Sequence, residues 1–483
     1  MSQSPNSRRS FLKKSVAAAL TVGASQVEVT TAAAATTKKK PAPNIVLYLA
    51  DQFRWDFVGA NRLNNSTRTP NLDALAARGK NFTQAVTNQP VCAPARSVLF
   101  TSRYATETGV WHNGLPLNKS LPTLAGELRK AGYSANLIGK WHLAPGKAQG
   151  GGPGAVPAAE RGGFDDLWEG SNSIEGTTHP YEGTIWDRDN QPIEYKDEYR
   201  VDFLTDRAER FLRQKHDRPF FLFISQLEPH QQNDRGTPVA PNGVADTFKN
   251  ITVPEDLRAQ PGIWQSQLPD YYGCISAIDT SVGRVRRVLE EEGLAENTIF
   301  VFISDHGCHF ATRNKEYKRS THNSSIRVPL IIDGPGFRGA QQVPELIGLI
   351  DVAPTLLEAA GVAVPASWKG RSAYALLNDS AAREHWKQEQ FIQISESMTA
   401  RAIRTPDWTY CVADLSGSST SPAAESYTEY QLYDQRGDPH ELINLAGRQE
   451  YRKKADELRE RLKELLRAAG EGEPVIRSAA LYP

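Results

Sequence analysis

Cysteine is scarce in this chain: there are four in 483 residues, at positions 92, 274, 308 and 411. Spacing that wide makes neither a disulfide framework nor a zinc pattern. Net charge is absent too, with 56 Lys plus Arg against 56 Asp plus Glu. That balance gives no basis for a nucleic-acid partner or a surface that wraps polyanions, and leaves room only for a local basic pocket. Beyond the first 35 residues no apolar run is long enough to span a bilayer, and no internal repeat is found. A chain of this length can still bury a large core and divide into more than one folding unit.

The first thing present is an address. Ser7-Arg8-Arg9-Ser10-Phe11-Leu12-Lys13 carries adjacent arginines, Val16 to Ala24 is modestly apolar, and Ala32 to Ala35 offers small residues for cleavage. Residues 1–35 thus resemble a bacterial twin-arginine export signal, and 36–43 read as a short linker. The mature protein is expected in the periplasm or outside the cell, with no membrane and no nucleic acid among its partners.

From Asn44 on, apolar runs alternate with helical patterns. Asn44 to Ala50, Tyr133 to Ile138, Pro219 to Ser225 and Thr298 to Ile303 read as strands buried on both faces. Asn71 to Arg78, Leu121 to Ala131, Val201 to Lys215 and Tyr271 to Glu292 read as helices. Val328 to Ile332 and Gly348 to Ala360 continue the pattern, while Gly146 to Gly163, 165–200 and 231–264 read as loop or irregular insertion. The fold expected is α/β, a large, mostly parallel sheet sandwiched by helices over residues 44–361. After Gly361 shorter strands and the amphipathic helix Glu450 to Ala469 predict a smaller α+β subdomain over 362–483, with an antiparallel sheet.

Polar groups gather where these strands end: Asp51-Gln52, Lys140 with His142, His230, and Asp305-His306, followed later by Lys318. In an open α/β sheet the carboxyl ends of the strands are where ligands bind. To them belongs Cys92-Ala93-Pro94-Ala95-Arg96, where a loop runs into a helix and free N–H groups favour an anion. Asp51, Asp305 and the oxygen of Gln52 are hard ligands for Ca²⁺, Mg²⁺ or Mn²⁺, with His306 supplying a nitrogen or the substrate an oxygen. Lysines, histidine and arginine would neutralise charge on a tetrahedral oxyanion. Cys274 and Cys308 read as packing.

In order along the chain, these segments resemble those of the type I, formylglycine-dependent sulfatases of the alkaline-phosphatase-like superfamily. The Cys-x-Pro-x-Arg signature is Cys92 to Arg96, the Gly-Lys-Trp-His segment is Gly139 to His142, and the second metal segment is Ser304 to Gly307. Lys318 precedes Arg327-Val328-Pro329, and Tyr433-Asp434 with Asn444-Leu445 resembles the C-terminal ending, so the likeness runs from Asn44 to Leu445. The resemblance implies that a separate maturation enzyme oxidises Cys92 to formylglycine, whose hydrate attacks sulfur. It implies metal ligation by Asp51, Gln52, Cys92, Asp305 and His306. It also implies that Arg96 orients the hydrate, Lys140 and Lys318 bind sulfate oxygens, His142 assists collapse of the ester, and His230 protonates the leaving oxygen. The substrate implied is a sulfated carbohydrate.

Two metal segments depart from the commonest family pattern. Asp51-Gln52 replaces Asp-Asp and Asp305-His306 replaces Asp-Asn, which makes the site less negative and calcium less decisively favoured. Phe100-Thr101-Ser102-Arg103 replaces Leu-Thr-Gly-Arg and is expected to be tolerated. Beside the sulfatase reading stand a phosphonate monoester or phosphodiester hydrolase of the same superfamily and a non-catalytic sulfated-glycan binder. His112, His309, Arg313, Asn314 and His322 flank the motifs and are the candidates for reading a sugar.

Overall fold

Seven consecutive buried residues, Asn44–Ala50, make the strand at the middle of the main sheet. Strands place successive side chains on opposite faces, so one apolar run feeds two cores. Ile45, Leu47 and Leu49 enter one hydrophobic cluster, Val46, Tyr48 and Ala50 the other. The computed structural model describes residues 41–482 apart from 418 and 420. The expected export signal, 1–35, and residues 36–40 of the expected linker lie outside the described residues.

In chain order the strands are β1 (Asn44–Ala50), β2 (Lys80–Val86), β3 (Ser134–Lys140), β4 (Leu167–Ser171), β5 (Glu182–Trp186), β6 (Pro192–Lys196), β7 (Phe220–Gln226), β8 (Thr298–Ser304), β9 (Leu330–Asp333) and β10 (Gln341–Gly348). They form one ten-stranded sheet in the order β10-β2-β9-β8-β1-β7-β3-β4-β5-β6. The core ladder β8-β1-β7-β3-β4 is parallel throughout. Antiparallel pairing enters at β9 and at the β4-β5-β6 edge. Helix α1 (Pro70–Arg78) and the helices Arg200–Leu212 and Trp264–Glu291 cover one face. Helix α2 (Cys92–Thr101) and the helices Leu124–Lys130 and Val352–Ala359 cover the other. Among the described residues no helix is long and apolar enough to cross a membrane.

A second, five-stranded sheet comes from β11 (Gln390–Ile394), β12 (Ala400–Arg404), β13 (Trp408–Ala413), β14 (Ser426–Asp434) and β15 (Val475–Arg477). Its pairs are antiparallel except β14 with β15. The helix Arg452–Ala468 lays Leu458, Leu462, Leu465 and Leu466 on this sheet, against Phe391, Ile403, Tyr410 and Leu432.

Three differences from the sequence reading have physical causes. Residues 165–200 carry β4, β5 and β6 instead of an irregular insertion, because β5 is partly and the edge strand β6 largely exposed, and both lack an apolar run. β2 mixes polar and apolar residues, and edge strand β10 contains Pro344, a residue tolerated at sheet edges, so neither looks like a buried strand. Trp264–Glu291 starts earlier than 271 and carries Pro269 within its second turn.

Candidate active site

The parallel strands point their carboxyl ends at one place. Asp51 follows β1, Lys140 ends β3, Glu175 follows β4, His230 follows β7, and Asp305 follows β8. β2 leads on the same edge to α2, whose first residue is Cys92. Val91 is extended, Pro94 sits in the first turn where its missing N–H costs nothing, and all ten residues of α2 are buried. The Asn113 side chain accepts a hydrogen bond from Ala93 N at 3.0 Å and so caps the opening turn. The helix closes on Ser102, left-handed at φ 51, where glycine is usual. Its hydroxyl donates to Ile350 O at 2.7 Å and accepts from Gly370 N at 3.1 Å, which accounts for a serine at this position.

Three cations and three carboxylates surround Cys92. Arg96, wholly buried, donates to Asp305 Oδ2 (3.2 Å), Asp51 Oδ2 (3.2 Å), Lys140 O (2.9 Å) and Ser225 Oγ (2.8 Å). Lys140 Nζ lies 2.8 Å from Asp51 Oδ2 and 2.9 Å from Glu175 Oε1. Lys318 Nζ finds three acceptors for its three N–H groups: Cys92 Sγ at 3.0 Å, His230 Nε2 at 3.1 Å and His306 Nε2 at 3.2 Å. Both histidines have Nδ1 on a backbone carbonyl, His230 on Gln231 O (2.7 Å) and His306 on Gly307 O (2.9 Å). Only an N–H can bond a carbonyl, so each ring turns an Nε2 lone pair inward.

This packing sets the charge states. Burial by itself would push the Cys92 thiol up, but Lys140, Lys318 and His306 bring it well below the usual thiol range. Burial and the Cys92 charge oppose ionisation of Asp51, and Lys140, His230 and Arg96 outweigh them and lower it. Glu175, also buried, is lowered to about 2, chiefly by Lys140 and then His142. Asp305 goes the other way, raised by burial and by Asp51 beside it. Lys140 and Lys318 are raised despite burial, Lys140 by Asp51 first and Lys318 by Cys92 first.

The donors fit a divalent cation. One ligand atom each from Asp51, Cys92, Asp305 and His306 lies within 4.8 Å of the others, all buried. Gln52 adds a buried Oε1 with no hydrogen-bond partner, the kind of orphan a cation would satisfy. Its backbone is left-handed (φ 67) and its N–H donates to Asp305 Oδ1 at 3.1 Å, which ties the β1 and β8 ends together. Oxygen donors with one imidazole suit a hard cation.

Of the candidates for sugar contacts, His112 precedes Asn113, whose side chain caps α2. It is half-buried, its Nδ1 on Asn113 O at 2.6 Å, one residue from the α2 cap. The other four each bond within the protein, while His309 Nδ1, Arg313 Nε and His322 Nδ1 are buried without a partner. His309 is buried with Nε2 on Lys318 O (3.0 Å), and Asn314 donates to the same carbonyl (2.8 Å), so both shape the Lys318 loop. Arg313 donates to Glu441 O and His440 O, and His322 is buried against the Tyr433 hydroxyl (3.1 Å). The sequence reading overlooked Glu175, which would have been found had β4 been recognised, since it then falls at the same sheet edge. It also overlooked Glu396, which accepts from Asn113 N (2.6 Å) and pairs with Arg319, joining the second sheet to the site.

A mostly parallel sheet with buried carboxylates, two lysines and an arginine around a cysteine at a helix start fits a hydrolase of tetrahedral oxyanion esters, with a side-chain group that could hold a metal ion. The sulfatase family model matches residues 43–362, and the chain belongs to that family, the hydrolases of sulfuric esters. A second model, the C-terminal part of N-sulphoglucosamine sulphohydrolase, matches residues 315–468. The ulvan-active sulfatase of Formosa agariphila is 30% identical over 449 residues, which is 89% of this chain and 82% of that protein. A solved structure in complex with its substrate D-glucosamine-2-N,6-O-disulfate shares the fold at a TM-score of 0.76, with 23% identity over 90% of this chain and 99% of that one. The phosphonate monoester hydrolase of Agrobacterium radiobacter shares the fold at a TM-score of 0.64, with 22% identity over 88% of this chain and 96% of that one.

Proposed function

We propose that this sulfatase removes sulfate from a sulfated poly- or oligosaccharide, with Cys92 matured to formylglycine and Ca²⁺ held by Asp51, Gln52, Asp305, His306 and the side chain at 92. The observation that carries the reading is Cys92 itself, within 3.0–3.6 Å of Lys318, His306 and Asp51 at a helix start. The saccharide follows from the relatives, one active on ulvan and one solved with a sulfated glucosamine. Formylglycine would supply a geminal pair of hydroxyls, one to attack sulfur and one to release the product. A bound Ca²⁺ would supply positive charge beside the sulfate oxygens.

The chain's own residues do the rest. Lys140 and Lys318 hold sulfate oxygens and neutralise charge that grows on them, in a site where burial strengthens each interaction. Arg96, fixed by two carboxylates, a carbonyl and a hydroxyl, keeps the carboxylate frame under residue 92 rigid. His230 passes to the leaving alcohol oxygen a proton taken up at Nε2, where Lys318 Nζ lies 3.1 Å away, and His142 takes the proton from the remaining hydroxyl. The partners proposed are a formylglycine-generating maturation enzyme and the sulfated carbohydrate. The twin-arginine-like start argues for export to the periplasm or beyond.

The test is direct. In protein from a maturing host, the tryptic peptide Asn81 to Arg96 should be lighter by about 18 Da, the change from thiol to aldehyde. Sulfate release from sulfated oligosaccharides, run beside cleavage of a phosphonate monoester, checks the ester class. An intact thiol with no sulfate release would overturn the reading in favour of glycan binding, and faster phosphonate cleavage would favour the other hydrolase.

A further inference from the structure

Glu175 touches two residues of the site and leaves one oxygen unused. Its Oε1 lies 2.9 Å from Lys140 Nζ and 3.9 Å from His142 Nδ1. Its Oε2 is buried without a hydrogen-bond partner, and so is His142 Nδ1. A buried polar atom left open is costly, and with the Glu175 carboxylate 3.9 Å from Nδ1 the two groups call for one bond between them. A modest turn of the imidazole or the carboxylate would make it. His142 is also left-handed (φ 67), a conformation uncommon for a non-glycine residue.

The two neighbours are not equally dependent on Glu175. Lys140 keeps Asp51 Oδ2 at 2.8 Å whatever happens at Glu175. Among the described residues His142 Nδ1 has no hydrogen-bond partner, and Glu175 at 3.9 Å is the carboxylate paired with it. Glu175 sits on the short turn Ile174–Gly176 just past β4, within the sheet edge that builds the rest of the site.

We propose that Glu175 is the positioning residue of His142: its carboxylate accepts the Nδ1–H, fixes the tautomer and leaves the Nε2 lone pair for residue 92. The inference rests on the role given to His142 above. It deepens that role, because a histidine that must take a proton on one nitrogen needs the other held as a donor.

The experiment uses the matured enzyme and 4-nitrophenyl sulfate, whose leaving group needs no proton and which asks nothing of sugar recognition. E175Q should lose about ten- to hundredfold in kcat, the size usual for a partner that orients a working imidazole. Its KM should stay within about threefold, because sulfate binding by Lys140 is preserved. In an H142N background the same substitution should change kcat by less than about twofold, since the two act as a unit. E175D, which retains the carboxylate, should keep more of kcat than E175Q and serves as the folded comparator. A rise in KM with kcat unchanged would overturn the proposal in favour of a role through Lys140, and so would full multiplicativity of E175Q with H142N. Inactivity of the wild-type enzyme toward every sulfate ester would strike the reading of Cys92 instead, and inactivity toward saccharides alone would leave this test intact.

Discussion

Replacing Arg96 with methionine probes the frame on which the site stands. The guanidinium is wholly buried and makes four hydrogen bonds, two to carboxylates. Methionine fills much of the volume but leaves the Lys140 carbonyl and the Ser225 hydroxyl short of a donor. Asp51 still has Lys140 at 2.8 Å. Asp305 fares worse, left with the backbone N–H groups of Gln52 (3.1 Å) and His306 (3.0 Å). Breaking a buried ion pair from one side costs about 3–5 kcal/mol, and the stranded carbonyl and hydroxyl bring the expected loss to about 5 kcal/mol. The loss should depend on pH with a definite sign. Asp305 is already raised by burial and by Asp51, and R96M raises it further. A folded-state carboxyl raised above its unfolded value binds more protons folded than unfolded, so its penalty is absent at low pH and grows as pH rises through the carboxylate range. Urea unfolding in chelator should therefore show a larger gap between wild type and R96M at pH 7 than at pH 4. A variant within 1 kcal/mol of wild type at pH 7, or a gap that widens as pH falls, would refute the account.

Glu175 should show the opposite pH dependence: held at about 2 against an ordinary 4.5, it contributes about 3 kcal/mol above the ordinary value. That contribution is lost as pH falls from 4.5 toward 2, so urea midpoints of wild type and E175Q should converge there, and parallel curves would contradict it. Q52L removes the orphan Oε1 and should weaken calcium binding by about tenfold or more in titration calorimetry, with unchanged affinity excluding Gln52 as a ligand. L47A in the central strand, where the side chain is wholly buried, should cost about 2–5 kcal/mol in urea unfolding, and a loss under about 1 kcal/mol would mean that the core collapses around the gap.

The parts of the molecule legible in the sequence were those with a strong local signal. β1, β7 and β8 are unbroken apolar runs, and the expected bounds fall within one residue of each. Asp51 and Asp305 stood out because each directly follows such a run, Lys140 because it ends β3, and His230 because it lies four residues past β7. β2, β10 and the β4-β5-β6 edge were not legible, because their pairing partners, rather than their own composition, make them strands. Glu175 was hidden with β4. The surroundings of His309 and His322 were equally invisible: a histidine beside a motif reads as a possible ligand, and only packing reveals that Lys318 O and the Tyr433 hydroxyl already claim them. Arg319 and Glu396 are 77 positions apart, a pairing no local pattern encodes.

The burial of α2 bears on the order of events in a cell. Cys92 is 1% exposed and every residue from Cys92 to Thr101 is packed inside. A second enzyme that had to grip Cys-Ala-Pro-Ala-Arg as a substrate would find no purchase on the finished fold. The oxidation proposed for Cys92 therefore belongs to the nascent or unfolded chain, in competition with folding itself. Chains that fold first would be locked as thiols, and overproduction that outruns the maturation enzyme should yield a mixture of two populations alike in structure and unlike in residue 92.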